Sequence, residues 1–227
     1  MKIALIGYGA MGKLIRCLAE EKGHEVVVVI DETFADSSAE FLAAKLEGVD
    51  VAIDFTVAEA VKRNVTACVA AGVALVEGTT GWSGEKAEIE RIVADGNGAF
   101  LFGANFSIGV NLFYKIAAYA AELFAKFPEY ETFIEEQHHS RKLDSPSGTA
   151  LKIKDIVAEH IKKDFTVTAT RAGNIPGTHR LGFDGPADQI LLEHTARSRE
   201  GFALGAITAA EWIKDKKGFY EFSGIFK

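Results

Sequence analysis

Residues 2–12, KIALIGYGAMG, decide the fold class of this 227-residue chain. A short apolar run ends at a glycine, and Gly7, Gly9 and Gly12 then form the pattern G-x-G-x-x-G. Apolar residues at helical spacing follow, so the glycines lie between a predicted strand and a predicted helix. Such a turn lets the backbone approach a pyrophosphate, to which the helix N-terminus offers free N–H groups. The stretch therefore predicts a dinucleotide-binding βαβ unit, and the alternative is a tight turn without a ligand.

The next predicted strand, residues 25–31, indicates which dinucleotide would bind. It ends in Asp31, nineteen residues after Gly12, where a carboxylate can accept hydrogen bonds from a ribose diol and repels a 2′-phosphate. The following residue is also acidic, and no Arg or Lys occurs within the next ten. We therefore expect NADH as the preferred cofactor. NADPH is the alternative, and Lys13 or Arg16 would then have to hold its phosphate.

Strands and helices continue to alternate up to residue 103. The β-branched run at residues 25–31 predicts a strand that is buried on both faces of a parallel sheet. Strict alternation predicts right-handed βαβ units and a doubly wound α/β sheet of the Rossmann type. The further segments are strands at 49–55, 73–78 and 99–103 and helices at 57–72 and 83–96, the last with Ser83 as its N-cap.

The ends of these predicted strands are rich in glycine and small polar residues. Ligands bind beyond the carboxyl ends of the strands in open α/β sheets. The predicted cofactor-binding residues are therefore Gly7, Tyr8, Gly9, Ala10, Met11, Gly12, Asp31, Phe55, Thr56, Gly78, Thr79, Thr80, Ala104, Asn105 and Phe106.

The pattern changes after Ser107, where a long helix is followed by longer, mixed elements. We expect a dinucleotide-binding domain over residues 1–107 and a second α+β domain with a mixed sheet over residues 108–199. The second domain is predicted to bind substrate and to form the oligomer. An apolar helix near 200–215 and the tail after it are expected to return to the first domain and complete it.

Composition narrows the range of partners. The formal net charge of −7 argues against nucleic acid, and no apolar stretch approaches the roughly eighteen residues of a membrane helix. The apolar start is too short for a secretion signal. Cys17 and Cys68 lie in apolar helical patterns, which predicts two buried free thiols and fits a cytoplasmic protein.

A second site is predicted by residues 135–150, EEQHHSRKLDSPSGTA. Burying this many polar groups in an apolar core would cost several kcal/mol, so the cluster needs a purpose. Apolar spacing downstream places a helix start near Ser147, with Gly148 and Thr149 behind it, and their N–H groups and hydroxyls are expected to point outward. This is a site for a carboxylate or a phosphate.

The residues ahead of that helix supply a proton donor and positive charge. His138, His139, Arg141 and Lys142 leave a predicted strand and are expected to face the same space, while Asp144 orients the loop or caps the helix. An exposed histidine pair is the alternative. A metal site is not expected, because no further His, Cys or Asp spacing completes a ligand set.

The stretch Glu136–Ala150 resembles the E-x-H-H-x-x-K-x-D-x-P-S-G-T-A signature of the 4-hydroxy-tetrahydrodipicolinate (dihydrodipicolinate) reductase family at every fixed position. The resemblance covers nearly the whole chain. Its other shared segments are residues 54–56, 78–81, 104–107, 171–179 and 194–203.

This resemblance implies NAD(P)H-dependent reduction of a cyclic imine dicarboxylate in diaminopimelate and lysine biosynthesis, by a cytoplasmic homotetramer. It further implies that His138 donates a proton and that Lys142 binds and polarises the substrate. The residues implied to hold the substrate carboxylates are His139, Ser147, Gly148 and Thr149.

Two departures from the family pattern bear on these expectations. Many members have Gly-Arg-Met-Gly in the first loop, whereas this chain has Ala10 before Met11 and a shorter loop. A basic contact to the cofactor is thereby lost, which again favours NADH. Residues 32–48 also look short, which predicts a trimmed loop. The alternatives are a related two-domain amino-acid dehydrogenase, of the aspartate or homoserine type, and a non-catalytic NADH-binding module.

Overall fold

The computed structural model describes residues 1–226. It divides into two compact units, the first formed by residues 1–107 together with the chain from residue 200 onward, and the second by Ile108–Arg199. The strands are β1 (Lys2–Ile6), β2 (Glu25–Ile30), β3 (Val51–Asp54), β4 (Ala74–Glu77), β5 (Ala99–Phe102), β6 (Glu131–His138), β7 (Thr166–Arg171), β8 (Thr178–Asp184), β9 (Gln189–Thr195) and β10 (Gly218–Glu221). The helices are α1 (Ala10–Glu21), α2 (Ala39–Lys45), α3 (Ala58–Ala71), α4 (Lys86–Asp95), α5 (Ile108–Phe124), α6 (Gly148–His160) and α7 (Glu200–Ile213).

The first unit is built on a parallel sheet with the strand order β10-β5-β4-β3-β1-β2. From β1 the chain moves outward to β2, and then crosses back over β1 to form β3 beside it. This reversal is the topological switch point at which doubly wound sheets bind their ligands. The Rossmann-type prediction is confirmed for this unit.

Helices α3 and α4 pack on this sheet through apolar side chains. Ala52 and Leu75 of the sheet form a core with Val61 and Val65 of α3 and Ile89 of α4. Helix α7 contacts β3, β4 and β5 and also packs against α1. The final strand β10 extends the sheet by pairing with β5. The C-terminal segment is thus an integral part of the first unit.

Strand β2 and the segment after it differ from the sequence-based expectations. Strand β2 pairs only with β1 and forms the edge of the sheet, so Val27 is 39% exposed and the prediction of burial on both faces is wrong. The predicted trimmed loop at residues 32–48 contains α2. Ser38 caps this helix by accepting a hydrogen bond from the N–H of Phe41, and Leu42 anchors it in the core.

Two smaller expectations were also wrong. Ser83 does not cap a helix, because residues Ser83–Glu85 form a short 3₁₀ turn and α4 begins only after it. Of the two cysteines, Cys68 is buried but Cys17 is exposed and contacts Glu21. The apolar periodicity of α1 therefore did not extend to Cys17.

The second unit has a mixed sheet with the order β7-β6-β8-β9, in which β6 and β7 are parallel and the other pairs antiparallel. Side chains of α5 and α6, among them Phe113 and Ile153, pack with Ile134 and Leu181 of the sheet. Within residues 1–226, none of the helices has the length and apolarity that a membrane span requires.

Candidate active site

An open cleft of about 530 Å³ lies beyond the carboxyl ends of β1, β3 and β4 in the first unit. It therefore occupies the switch point of the sheet. Its lining includes many of the predicted cofactor-binding residues and also three residues at the start of α3. The lining residues are Gly9, Ala10, Met11, Phe55, Thr56, Val57, Ala58, Glu59, Gly78, Thr79 and Thr80.

The three motif glycines serve different purposes. A Cβ atom on Gly12 would lie 2.2 Å from the carbonyl oxygen of Gly7, and one on Gly7, whose φ is +88°, would lie 2.4 Å from the carbonyl oxygen of Phe55. These two glycines are required by the packing of the protein itself. A Cβ on Gly9 would meet nothing within 4 Å. The protein does not require a glycine there, but a ligand that approaches the backbone would.

The N-terminus of α1 borders this cleft and is open to a ligand. Gly9 is the N-cap, no side chain caps the helix, and no acidic residue lies in its first turn. The first N–H groups of a helix lack intrahelical acceptors and carry a partial positive charge. The donors present therefore fit the pyrophosphate of a dinucleotide.

Asp31 follows β2 and carries a well-defined carboxylate. It accepts hydrogen bonds from the hydroxyl of Thr33 at 2.6 Å and from the N–H of Thr33 at 3.0 Å. The Thr33 hydroxyl, followed by the Thr33 N–H, lowers the pKa of Asp31 below its ordinary value. The group is therefore an anion at neutral pH, as an acceptor for ribose hydroxyls must be.

Other predicted cofactor residues lie outside the cleft lining. The hydroxyl of Tyr8 lies 3.4 Å from Arg16, whose guanidinium also pairs with Glu20. In the segment after β5, Ala104 is exposed and Asn105 accepts a hydrogen bond from the N–H of Ser107. The ring of Phe106 is buried and lies 6.1 Å from that of Phe55.

In the second unit, a carboxylate is buried at the end of β6. The side chain of Glu136 is 0% exposed. Its Oε1 accepts hydrogen bonds from Arg171 at 2.6 Å and from the N–H of Ser147 at 2.9 Å. Its Oε2 lies 2.6 Å from Nδ1 of His138 and 3.8 Å from Nε2 of His179. These five residues are called the Glu136 cluster below.

The strand geometry explains why these residues meet. Successive side chains of a strand point to opposite faces, so Ile134, Glu136 and His138 share the face that α5 and α6 cover. Glu136 is paired with His179 on β8, and His138 with Arg171 on β7. The apolar core thus gives way to a polar cluster at the end of the sheet near the start of α6.

The surroundings set the charge states within the cluster. Burial acts to raise the pKa of Glu136, but the hydrogen bonds from Arg171 and Ser147 outweigh it and hold that pKa below its ordinary value. Burial lowers the pKa of His138, against the opposing effect of Glu136. Burial, together with the nearby His138, lowers the pKa of His179 to about 4. At neutral pH the cluster therefore holds an anionic Glu136 and two largely neutral imidazoles.

Helix α6 begins with Ser147 as its N-cap. The Ser147 hydroxyl accepts a hydrogen bond from the N–H of Ala150 at 3.2 Å and lies 3.1 Å from Nε2 of His179. It is therefore turned inward, contrary to the expectation that the hydroxyls point outward. Gly148 is exposed and Thr149 is half-buried, with its side chain hydrogen-bonded to Tyr114. The backbone at Gly148 is the accessible part of this helix start.

The remaining predicted residues lie in the loop between β6 and α6. His139 is half-buried, and its Nδ1 lacks a hydrogen-bond partner among the described residues. Lys142, whose side chain is 25% exposed, pairs with Asp144 at 2.8 Å. The contact with Lys142 lowers the pKa of Asp144, and a hydrogen bond from the N–H of Gly148 also lowers it. Asp144 therefore orients both the loop and the helix start, as predicted.

Models of known protein families match both halves of the chain. Residues 1–106 match the family described as dihydrodipicolinate reductase, N-terminus, and residues 109–226 match dihydrodipicolinate reductase, C-terminus. The chain belongs to the dihydrodipicolinate reductase family. The resemblance inferred from the Glu136–Ala150 signature is thereby confirmed.

Relatives within this family match the chain over nearly its full length. The 4-hydroxy-tetrahydrodipicolinate reductase of Christiangramia forsetii is 36% identical and covers 99% of this chain and 97% of its own length. That of Archaeoglobus fulgidus is also 36% identical, with 97% of each chain covered. A dipicolinate-bound dihydrodipicolinate reductase from Paenisporosarcina sp. TG-14 has the same fold, with a TM-score of 0.83 and 23% identity over 100% of both chains.

Glu136, Arg171 and His179 were not predicted to be functional from the sequence, although all three lie in segments that resemble the family. A signal for Glu136 was available, because the two-residue period of a strand places it on the same face as His138. No such local signal existed for Arg171 and His179. Their positions depend on how β7 and β8 align with β6.

The Glu136 cluster also has the composition of a metal site. Potential ligand atoms of Glu136, His138 and His179 lie within 4.8 Å of one another. However, Glu136 already forms an ion pair with the positively charged Arg171. The 2.6 Å separation of the Glu136 and His138 atoms is also shorter than the roughly 3.3 Å between two ligands of a tetrahedral zinc ion. The geometry favours an acid–base cluster, and the absence of a metal site stays a prediction for this member of the family.

Proposed function

We propose that this chain uses NADH, or alternatively NADPH, to reduce the cyclic imine 4-hydroxy-tetrahydrodipicolinate to tetrahydrodipicolinate, a step of diaminopimelate and lysine biosynthesis. The observation that carries the proposal is the start of α6. There an exposed helix N-terminus lies close in sequence and space to the buried Glu136 cluster, which contains His138 and His179. Relatives at 36% identity over nearly the whole chain bear the name of this reductase.

The cofactor is assigned to the cleft of the first unit, where it would supply the hydride. The N–H groups at the start of α1 bind its pyrophosphate, and Gly9 leaves room for the approach. Phe55, Thr56 and the Gly78–Thr80 loop form the opposite wall. The anionic Asp31 accepts the ribose hydroxyls and disfavours a 2′-phosphate, which supports a preference for NADH.

The substrate carries two carboxylates, and the loop from His139 to Thr149 supplies donors for them. The backbone N–H groups at Gly148 and Thr149 bind one carboxylate at the positive end of α6, and this carboxylate takes the place of Asp144 at the Gly148 N–H. Lys142 and His139 bind the other, and Lys142 also polarises the ring. Ser147 holds the helix start in place through its inward contacts, so its role in substrate binding is to position these donors. Two handles on a small ring fix its orientation, which is a large part of catalysis.

His138 is assigned as the proton donor. The 4-hydroxyl of the imine leaves as water, together with a ring proton, which gives the conjugated ring. Hydride addition to that ring leaves an enamine-like anion, which takes a proton from the imidazolium of His138. In the free protein, burial keeps the pKa of His138 low, so the imidazole is largely neutral at pH 7. Two substrate carboxylates nearby raise that pKa, because opposite charges favour the protonated form. Glu136 acts in the same direction. Substrate binding therefore charges the acid that completes the reaction.

We further infer that the protein is a cytoplasmic homotetramer assembled through the second unit. The edge strand β9 exposes Ile190 and Leu191, at 44% and 46%, and offers unpaired backbone groups for pairing with another copy. Light scattering after size-exclusion chromatography should give four times the chain mass of 24.5 kDa. A monomer at micromolar concentration would contradict this assembly.

The activity is tested by mixing the purified protein with freshly made imine and following the absorbance of NADH and, separately, of NADPH. We expect imine-dependent oxidation of both, with a lower KM for NADH. The His138→Gln variant should lose about 10²-fold or more in kcat with unchanged cofactor affinity, because a general acid commonly contributes 10²–10⁴-fold. A folded protein that oxidises neither cofactor would overturn the proposal.

A further inference from the structure

Two buried acids lie side by side in the first unit, outside the residues assigned above. Asp54 ends β3 and Glu77 ends β4, and the two positions are paired across these parallel strands. Both residues are 0% exposed, on the sheet face that packs against α3. Two adjacent buried anions repel each other strongly, because the interior does not screen their charges.

The hydrogen bonds of the pair leave one oxygen of each acid without a well-formed hydrogen bond. Asp54 Oδ2 accepts from the amide of Asn64 at 2.7 Å, and Glu77 Oε1 accepts from the N–H of Thr79 at 2.6 Å. Within residues 1–226, Asp54 Oδ1 and Glu77 Oε2 are buried and accept no well-formed hydrogen bond, although the N–H and hydroxyl of Thr56 lie close to Asp54 and the hydroxyl of Thr79 lies close to Glu77. The two side chains are within hydrogen-bonding reach of each other. A single proton between these two oxygens would satisfy both.

The surroundings favour retention of that proton. Burial raises the pKa of Asp54, and burial together with the charge of Asp54 raises that of Glu77 well above its ordinary value. From α3, Cys68 faces the pair as a thiol whose pKa is also raised by burial. Arg63 donates hydrogen bonds to the amide oxygen of Asn64 and to the carbonyl oxygens of Phe34 and Ala35. On the neighbouring strands, the residues paired with Asp54 and Glu77 are the apolar Ile6 and Phe102. Within residues 1–226 no cation forms an ion pair with either acid.

The pair is joined to the wall of the cofactor cleft. Thr79 donates its N–H to Glu77, and its hydroxyl oxygen accepts a hydrogen bond at 2.9 Å from the N–H of Thr56. Thr56 and Thr79 both line the cleft. A change in the separation of Asp54 and Glu77 therefore moves the two loops that form this wall.

We propose that Asp54 and Glu77 share one proton, that this proton positions the Thr56 and Thr79 loops for cofactor binding, and that its loss in alkaline solution weakens the binding. The shared proton stands independently of the proposed function, whereas the effect on the cofactor rests on it. Both acids are positioning residues, because they act through the loops and do not line the cleft.

The first test is a substitution cycle read by equilibrium unfolding at pH 7. In Glu77→Gln the amide can donate to Asp54 while its oxygen still accepts from Thr79. In Asp54→Asn the amide can donate to Glu77 while its oxygen still accepts from Asn64. Each single variant keeps one donor and one acceptor, so we expect unfolding constants near that of the parent. The double variant sets two donors against each other and should unfold at least about tenfold more readily than the sum of the single effects predicts. An additive double variant would overturn the shared proton.

The second test measures cofactor binding by NADH fluorescence between about pH 6 and 10, a range that includes the pKa values known for buried carboxyl groups. In the parent, the Kd should rise by up to about tenfold per pH unit once the shared proton is lost, as expected for one linked proton. Glu77→Gln should remove this rise, and the exposed control Glu90→Gln should retain it. The same alkaline rise in all three proteins would overturn the link to the cofactor. If the parent binds no NADH or NADPH at any pH, the proposed function and this link both fail, and the substitution cycle still decides whether the proton is shared.

Discussion

The substitution Glu136→Gln should destabilise the second unit far more than the substitution Glu135→Gln. The substitution keeps the shape of the side chain and an oxygen that can accept from Ser147. It removes the counter-charge of Arg171, whose side chain is only 16% exposed. Removing one partner of a buried ion pair typically costs about 3–5 kcal/mol. Because Arg171 retains the carbonyl oxygens of Asp144 and Thr170 as acceptors, we expect a loss near the lower limit, about 3 kcal/mol.

Glu135→Gln is the matched control. Glu135 is 44% exposed on the opposite face of β6 and lies 3.6 Å from Arg180, so its ion pair is a surface one. Such pairs contribute about 0–1 kcal/mol. The chain has two units, and a single global unfolding curve would mix them. Hydrogen exchange of the amides in β6 and β8 measures the free energy of opening in the second unit alone.

The reasoning would be refuted if Glu136→Gln lowered the free energy of opening by less than about 1 kcal/mol, or if the two variants lowered it equally. Either result would mean that Glu136 stabilises the unit no more than a surface charge does. The same variant has a second expected effect. Because Glu136 raises the pKa of His138, its neutralisation should move the pH at which kcat declines with loss of the imidazolium to a lower value.

Three further predictions address the cofactor cleft, the acid stability and the substrate loop. Gly12→Ala should unfold the first unit, because its Cβ would lie 2.2 Å from a carbonyl oxygen. Gly9→Ala should keep the parent's stability and weaken NADH binding, because its Cβ meets no protein atom within 4 Å. Equal stability losses in the two variants would contradict this. The pKa of His179 is lowered from 6.5 to about 4 in the folded state, so its stabilising effect is complete above pH 6.5 and is lost as the pH falls toward 4. Up to about 3 kcal/mol is lost in that window, and His179→Gln should flatten the pH dependence of unfolding; an unchanged slope would argue against the assignment. Lys142→Ala should raise the substrate KM by about tenfold or more and lower kcat, as the loss of a charged hydrogen bond implies, and an unaltered KM would exclude Lys142 from binding.

The first unit was predictable because its signals are local. Glycines at fixed positions, the β-branched runs and the helical spacing of apolar residues together specify a strand–helix alternation. The errors arise where local patterns are ambiguous. The run at residues 25–30 is equally compatible with a central strand and an edge strand, and only the strand order shows that β2 has one neighbour. Helix α2 is seven residues long, too short for a clear periodicity.

The site in the second unit was predictable only in part. The signature placed His138 at a strand end, Lys142 in the loop after it and the helix start at Ser147. Contacts with Glu136 and Asp144 link these residues within that unit. The inward turn of the Ser147 hydroxyl was not predictable, because it depends on His179 from β8. Arg171 likewise reaches Glu136 only through the parallel pairing of β6 and β7. Such contacts depend on strand register, which the sequence of one strand does not specify.

The most direct test of the proposed reaction is to supply the imine together with NADH that carries deuterium at the transferable position of the nicotinamide, and to determine the isotope content of the product by mass spectrometry. If the chain catalyses hydride transfer, the tetrahydrodipicolinate formed contains one deuterium, and its rate of formation equals the rate of NADH oxidation. Product that forms without deuterium, or NADH that is oxidised without product, would contradict the account.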